Sequence, residues 1–212
     1  MFTFIKIDAM GYSQNNESDI IEKFFGSVYK GNFLSIGEND GITLSNVYDL
    51  TLKGWDGTCV EPSPTAFEKL ETLYLGLPHT LINAAVMDKN GEDTMYHSGE
   101  HLGKGDTSLL STMIPDEKKR WVKESWTEIK VPVINFSVLL GMSKVKMFDF
   151  ISLDVEGAER IILKQMDLKS LGCRLLCVEF NGKEQDKFDA IVLPQGYKLI
   201  HKNAENLIYA EN

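Results

Sequence analysis

Residues 148–163 read FDFISLDVEGAERIIL. From Phe148 to Leu153 the chain is apolar enough for a strand buried on both faces, and the run then stops at Asp154, Glu156 and Glu159. A carboxylate resists leaving water unless a partner takes up its charge. The stretch therefore predicts a core strand whose carboxyl end opens on a crevice, followed by a helix over 158–166.

Outward from this stretch the same alternation repeats. Toward the amino terminus, NFLSI (32–36) and GTCV (57–60) read as buried strands, and residues 81–86 as a third. Toward the carboxyl terminus, LLCVEF (175–180) is the next core strand. Helical spacing joins them. Ile20, Ile21, Phe24, Phe25 and Val28 mark an N-terminal helix over about 18–30. Leu44, Val47, Tyr48 and Leu52 mark another, and Pro64 opens a third with Phe67, Leu70 and Leu73 on one face. A strand at 94–97, a polar stretch at 98–115, a helix at 116–126 and a strand at 128–133 intervene. The segment 97–115 is the expected lid or acceptor loop, because a long loop inside a domain usually carries function. A helix at 188–193 precedes a hairpin of 197–201 and 207–209. The pattern predicts an α/β fold: a mostly parallel sheet, helices on both faces, and a C-terminal antiparallel hairpin.

Bulk properties narrow the class. The 212 residues suit one domain, 1–212, with a substantial core. A net charge of -9 opposes binding to a phosphate backbone, so no nucleic-acid partner is expected. The basic run Lys118–Lys119–Arg120 is flanked by Asp116, Glu117 and Glu124 and reads as a solvated helix face. The opening MFTFIKIDAMGY acquires Lys6 and Asp8 too early for a secretory leader, and no apolar run approaches the ~20 residues of a membrane span. Cys59, Cys173 and Cys177 are odd in number and lack zinc-site spacing. Reduced thiols and a cytoplasmic, non-membrane setting are expected.

In open α/β sheets ligands bind at the carboxyl ends of the strands. Here those ends carry Gly37-Glu38-Asn39-Asp40-Gly41, Glu61-Pro62-Ser63, Asn83-Ala84-Ala85, Asp154-Val155-Glu156 and Glu179-Phe180-Asn181. Singly, each has a blander reading as a turn, a helix-leading acid or a cap. Together they suggest one rim. The glycines let backbone approach a ligand, and Glu61, twenty residues beyond Gly41, is placed to accept both ribose hydroxyls. Gly37-x-x-x-Gly41 is neither the G-x-G-x-x-G dinucleotide pattern nor a phosphate-binding P-loop. An acidic rim favours the cationic donor S-adenosylmethionine over a diphosphate. His97, His101 and His201 read as loop or strand histidines rather than ligands.

FLSIGENDG, GTCVEPSP, LINAAVMDKNG, FDFISLDVEGAE and LLCVEF stand in the order and spacing of the FkbM-type methyltransferase family, which the chain resembles from about residue 33 to 209. The resemblance implies a class I S-adenosylmethionine-dependent methyltransferase with a Rossmann-like, seven-stranded sheet, and O-methylation of a hydroxyl on a sugar or other small metabolite. Carried over by position, Gly37, Asn39 and Gly41 would line the methionine part of the cofactor, with Glu38 of the same turn among the expected cofactor-binding residues. Glu61 and Pro62 would lie at its ribose, and Asn83 and Ala84 along the adenine. Asp154 would stand near the sulfonium and the acceptor with Glu156 beside it, the two forming the expected catalytic pair. Relatives often carry lysine where this chain has Ser152, and alanine where it has Glu38.

For transfer to a hydroxyl, Asp154 or Glu156 is the expected proton acceptor. A second variant places a divalent metal on Asp154, Glu179 and Asn181, whose oxygens suit magnesium or calcium; the expectation without a metal is preferred. The expected partner is a small-molecule or glycan acceptor. Two rivals remain at this level: a non-catalytic S-adenosylmethionine-binding or interaction protein, and a nicotinamide-dependent oxidoreductase, against which the missing third glycine counts.

Overall fold

The computed structural model describes residues 11–99, 108–121 and 123–212. Among these the strands are β1 (Asn32–Ile36), β2 (Asp56–Val60), β3 (Thr80–Ile82), β4 (Ala85–Val86), β5 (Gly91–Ser98), β6 (Trp126–Ile134), β7 (Phe150–Leu153), β8 (Leu175–Glu179), β9 (Tyr197–Lys202) and β10 (Asn206–Glu211). The helices are α1 (Glu17–Phe25), α2 (Tyr48–Leu52), α3 (Pro64–Leu73), α4 (Phe136–Met142), α5 (Glu159–Leu163) and α6 (Gln185–Val192).

Seven strands form one sheet in the order β3-β2-β1-β7-β8-β10-β9. The first five are mutually parallel, and β10 runs antiparallel to both β8 and β9. Both faces are covered, which is why these strands read as continuous apolar runs rather than alternating ones. On one face Leu34, Ile36, Ile151, Leu153, Leu176 and Val178 pack with residues of α4, α5 and α6. On the other, Phe33, Phe150, Leu175 and Cys177 pack with Ile21, Leu50 and Leu70 from α1, α2 and α3. A second sheet, β4-β6-β5, builds its own apolar layer from Met95, Val131 and Val133 against Ala158. The two layers meet at Val155, which packs against both.

The structure corrects several expected boundaries. The strand expected over 81–86 is two strands in different sheets. Asn83 donates its side-chain amide to the carbonyls of Glu61 and Pro62, and the chain leaves the large sheet there. The N-terminal helix ends at Phe25 because Gly26 takes φ +82°, and Val28, assigned to its buried stripe, is 90% exposed. Leu44 adopts φ +57° and stands outside α2. The helix expected over 116–126 is a single 3-10 segment, Pro115–Arg120. Helix α4, capped by the Asn135 side chain, was not foreseen. No helix among the described residues is long and apolar enough to cross a membrane.

Candidate functional site

Strand order reverses between β1 and β7: the chain winds outward from β1 to β3 and returns on the other side of β1 at β7. Such a switch point opens a crevice at the carboxyl edge of the sheet. Gly37 and Asp154 sit on its two lips. The Asp154 amide donates to the Ile36 carbonyl, and a Cβ built on Gly37 would lie 1.7 Å from the Asp154 carbonyl oxygen. With φ at +87°, only glycine fits there.

The loop after β7 is held by its own last acid. Glu159 Oε1 accepts from the Val155 amide at 3.0 Å, and both its oxygens accept from the Gly157 amide. This tie presents Glu156 at φ +53°, and Thr112 Oγ1 fixes the loop again by donating to the Glu156 carbonyl at 2.6 Å. Glu159 is therefore the fastening of the loop. Burial holds its carboxyl near a pKa of about 7 against backbone bonds that pull it down.

Glu61, at the end of β2, accepts from the Asn39 amide at 2.9 Å and from the Ser63 amide at 2.7 Å. It thereby ties the β1 turn to the start of α3. Each oxygen keeps lone-pair capacity for a further donor. Glu38 faces inward differently: Ser35 and Ser45 hydroxyls donate to its two oxygens at 2.5 and 2.6 Å. Burial pushes both carboxyls up to about 7, with nearby acids adding to the effect.

These groups line one cavity of about 350 Å³, within the range of small-ligand sites. Of the residues singled out in the sequence, Gly37, Glu38, Asn39, Glu61, Pro62, Ala84, Asp154, Glu156, Glu179 and Asn181 all reach it. Gly41 and Asn83 do not line it. The Cα of Gly41 faces Leu70 and Leu73 of α3, so this glycine serves packing. The Asn83 amide is spent on the Glu61 and Pro62 carbonyls. Of the expected lid, residues 100–107 lie outside the described residues, as does His101; Ser108 to Ser111 form part of the cavity wall. His97 Nε2 contacts the Ser108 and Ser63 hydroxyls at 2.6 and 3.0 Å.

The wall also includes residues that the sequence reading missed. Arg120 leaves the basic run to pair with Glu117 at 2.8 Å and Glu156 at 3.5 Å, so it is no part of a solvated face. Trp121, which with Trp126 reads in the sequence as a core-packing residue first and a sugar-stacking one second, lies beside it on the wall. Asn46 donates to Ser152 Oγ at 3.1 Å, while its buried Oδ1 has no hydrogen-bond partner. A run of three cations gave no hint that one turns inward, and an asparagine ahead of a short helix reads as a turn. Among the lining residues Glu38, Glu61, Asp154, Glu156, Glu179 and Glu205 face a single cationic side chain, Arg120. Burial raises Asp154 to about 6 and lifts Glu156 and Glu179 well above the usual carboxylate range, with Asp154 the next contributor to both.

The sequence profile of the methyltransferase FkbM domain matches residues 35–199, most of the chain and the cavity-lining ends of β1, β2, β7 and β8. The chain belongs to the FkbM methyltransferase family. No curated protein is similar enough in sequence to count as a match. Solved structures share the fold of this FkbM domain at low identity. A candidate RNA methyltransferase from Pyrococcus horikoshii is 10% identical, covering 92% of this chain and 80% of its own, with a TM-score of 0.50. The METTL16 methyltransferase domain is 15% identical over 93% of this chain and 66% of its own, at 0.51. Monomeric WbdD is 10% identical over 93% of this chain and 41% of its own, at 0.51. The FkbM domain therefore has the class I S-adenosylmethionine-dependent methyltransferase fold, with its mostly parallel sheet and reversed C-terminal hairpin.

Proposed function

We propose that the FkbM domain transfers the methyl group of S-adenosylmethionine to a hydroxyl of a sugar or other small metabolite. The observation that carries this reading is the meeting of Gly37, Glu61 and Asp154, from three adjacent parallel strands, in one acid-lined cavity at the switch point. The donor carries a sulfonium and an ammonium, and six acidic side chains against one guanidinium suit such a ligand, whose positive charge favours ionisation of acids that burial otherwise holds protonated. The same field repels phosphates, which favours a neutral acceptor over a nucleic acid. Hydroxyls can donate to the carboxylates, and Trp121 offers an aromatic wall to a sugar ring.

In the reaction an acceptor oxygen lone pair forms the O–CH3 bond as the S–CH3 bond breaks. The bonding pair stays on sulfur, S-adenosylhomocysteine leaves, and the hydroxyl proton passes to Asp154 or Glu156. Holding oxygen, carbon and sulfur in line supplies much of the rate. Calorimetry with S-adenosylhomocysteine, beside NAD, tests the cofactor; methyl release over a panel of glycans and small alcohols tests the reaction. Binding of S-adenosylhomocysteine and transfer to at least one hydroxyl are expected. Binding of NAD alone would overturn the reading. Asp154→Asn is expected to abolish turnover and largely keep S-adenosylhomocysteine binding; full activity in that variant removes Asp154 from the mechanism.

A further inference from the structure

We propose that Asp154, Glu156 and Glu179, joined by the side-chain carbonyl of Asn181, form a binding site for one divalent hard cation. One carboxylate oxygen from each of the three acids lies within 4.8 Å of one from each of the others. Oxygens bound to a common calcium-like ion at ~2.3–2.6 Å sit at most ~5 Å apart, so a single ion spans this cluster. Asn181 lines the same cavity and adds a neutral oxygen.

A second observation separates this cluster from an ordinary acidic rim. Glu179 is 94% buried (6% exposed); its side chain hydrogen-bonds that of Asp154, and its Oε2 receives no donor from any other described residue. Glu156 Oε2 likewise accepts no hydrogen bond and has only the Arg120 guanidinium at 3.5 Å, which Glu117 already holds at 2.8 Å. Buried carboxylate oxygens are ordinarily satisfied, and unsatisfied ones call for a ligand. A donor set of carboxylates and an amide, without cysteine or histidine, selects magnesium, calcium or manganese over zinc or copper.

Placement in the sheet separates this ion from the donor. Glu61 follows β2, while Glu179 ends β8, three strands away in the order β2-β1-β7-β8; at ~4.8 Å per strand that is about 14 Å. The cation therefore sits toward the β7–β8 side of the cavity, where an open coordination position can take the acceptor hydroxyl and ease loss of its proton. This role rests on the methyl-transfer reading; the binding of the ion does not.

The test uses the full chain stripped with EDTA and then titrated with magnesium, calcium or manganese chloride, by calorimetry and, for manganese, by loss of the free-ion EPR signal. One saturable site is expected. At a hundred times the dissociation constant the melting temperature should rise by about 5–10 °C. Glu179→Gln and Asp154→Asn should each weaken binding at least about tenfold. Glu179→Gln should also melt close to the metal-free wild type, since burial already favours the neutral form of this carboxyl and glutamine is its neutral isostere, so lost binding will not reflect lost folding. Asp116→Asn, on an exposed carboxylate, serves as the control. Absence of saturable binding, or binding unchanged in Glu179→Gln, overturns the proposal. S-adenosylhomocysteine binding is measured on the same samples. An ion site without it leaves the proposal standing and removes the methyl-transfer reading, and the reverse result removes only the ion.

Discussion

At Gly37 one hydrogen occupies the space where any other residue places a methyl group. The neighbouring oxygen is the Asp154 carbonyl at the next strand end, so the cost falls on the pairing that forms the crevice. Gly37→Ala should destabilise the protein by more than about 2 kcal/mol, because the positive φ and the backbone clash add. Urea denaturation measures this, and a loss within experimental error would show that the two lips can separate freely. Glu61 bears on binding. Glu61→Gln places an NH2 group against one of two backbone amides that now donate to a carboxylate. S-adenosylhomocysteine should bind about 10–100-fold more weakly, the range for losing hydrogen bonds to a charged group. Unchanged affinity in calorimetry would place the ribose elsewhere.

Among the elements, the loop joining β7 to α5 owes its shape to Glu159. Glu159→Ala leaves the Val155 and Gly157 amides without their acceptor and should cost about 1–3 kcal/mol of stability. It should also lower turnover more than cofactor affinity, since Glu61 and Gly37 stand on other strands; equal losses in both would contradict that separation. This loop also marks how far the sequence could be read. NFLSI, LDVE and LLCVEF were legible because strands covered on both faces must be apolar throughout and can turn polar only where they meet a crevice. Which sheet a strand joins was not legible. Residues 81–86 form one apolar run, yet the Asn83 side chain diverts the chain and sends Ala85–Val86 to pair with β6. Gly41 and Gly37 look alike in sequence, but only their tertiary neighbours distinguish a packing glycine from one at the crevice. Arg120 was misassigned because a 3-10 turn, unlike the expected α-helix, points it at Glu156.

Across the whole molecule, buried acids set how stability varies with pH. Glu38 and Glu61 titrate near 7 in the folded protein and near 4.5 when free. Below the lower value both states hold the protons. Between the two values the unfolded chain releases protons that the folded chain keeps, so stability present at low pH is lost as pH rises through about 7. The ligand-free melting temperature should fall by several degrees between about pH 5 and 8, at about 2–4 °C per kcal/mol. The double variant Glu38→Gln, Glu61→Gln should flatten that slope in differential scanning calorimetry. An equal slope in wild type and variant would assign the effect to other groups.

Strand β10 lies between β8 and β9, yet it follows both of them in the chain. During synthesis β8 must wait with one bare hydrogen-bonding edge until residues 206–211 have left the ribosome. Every shorter nascent chain therefore exposes the flank of the strand that carries Glu179. A chain released before Asn206 would lack an interior member of the sheet, and quality control would meet it as an unfinished edge open to pairing with other chains.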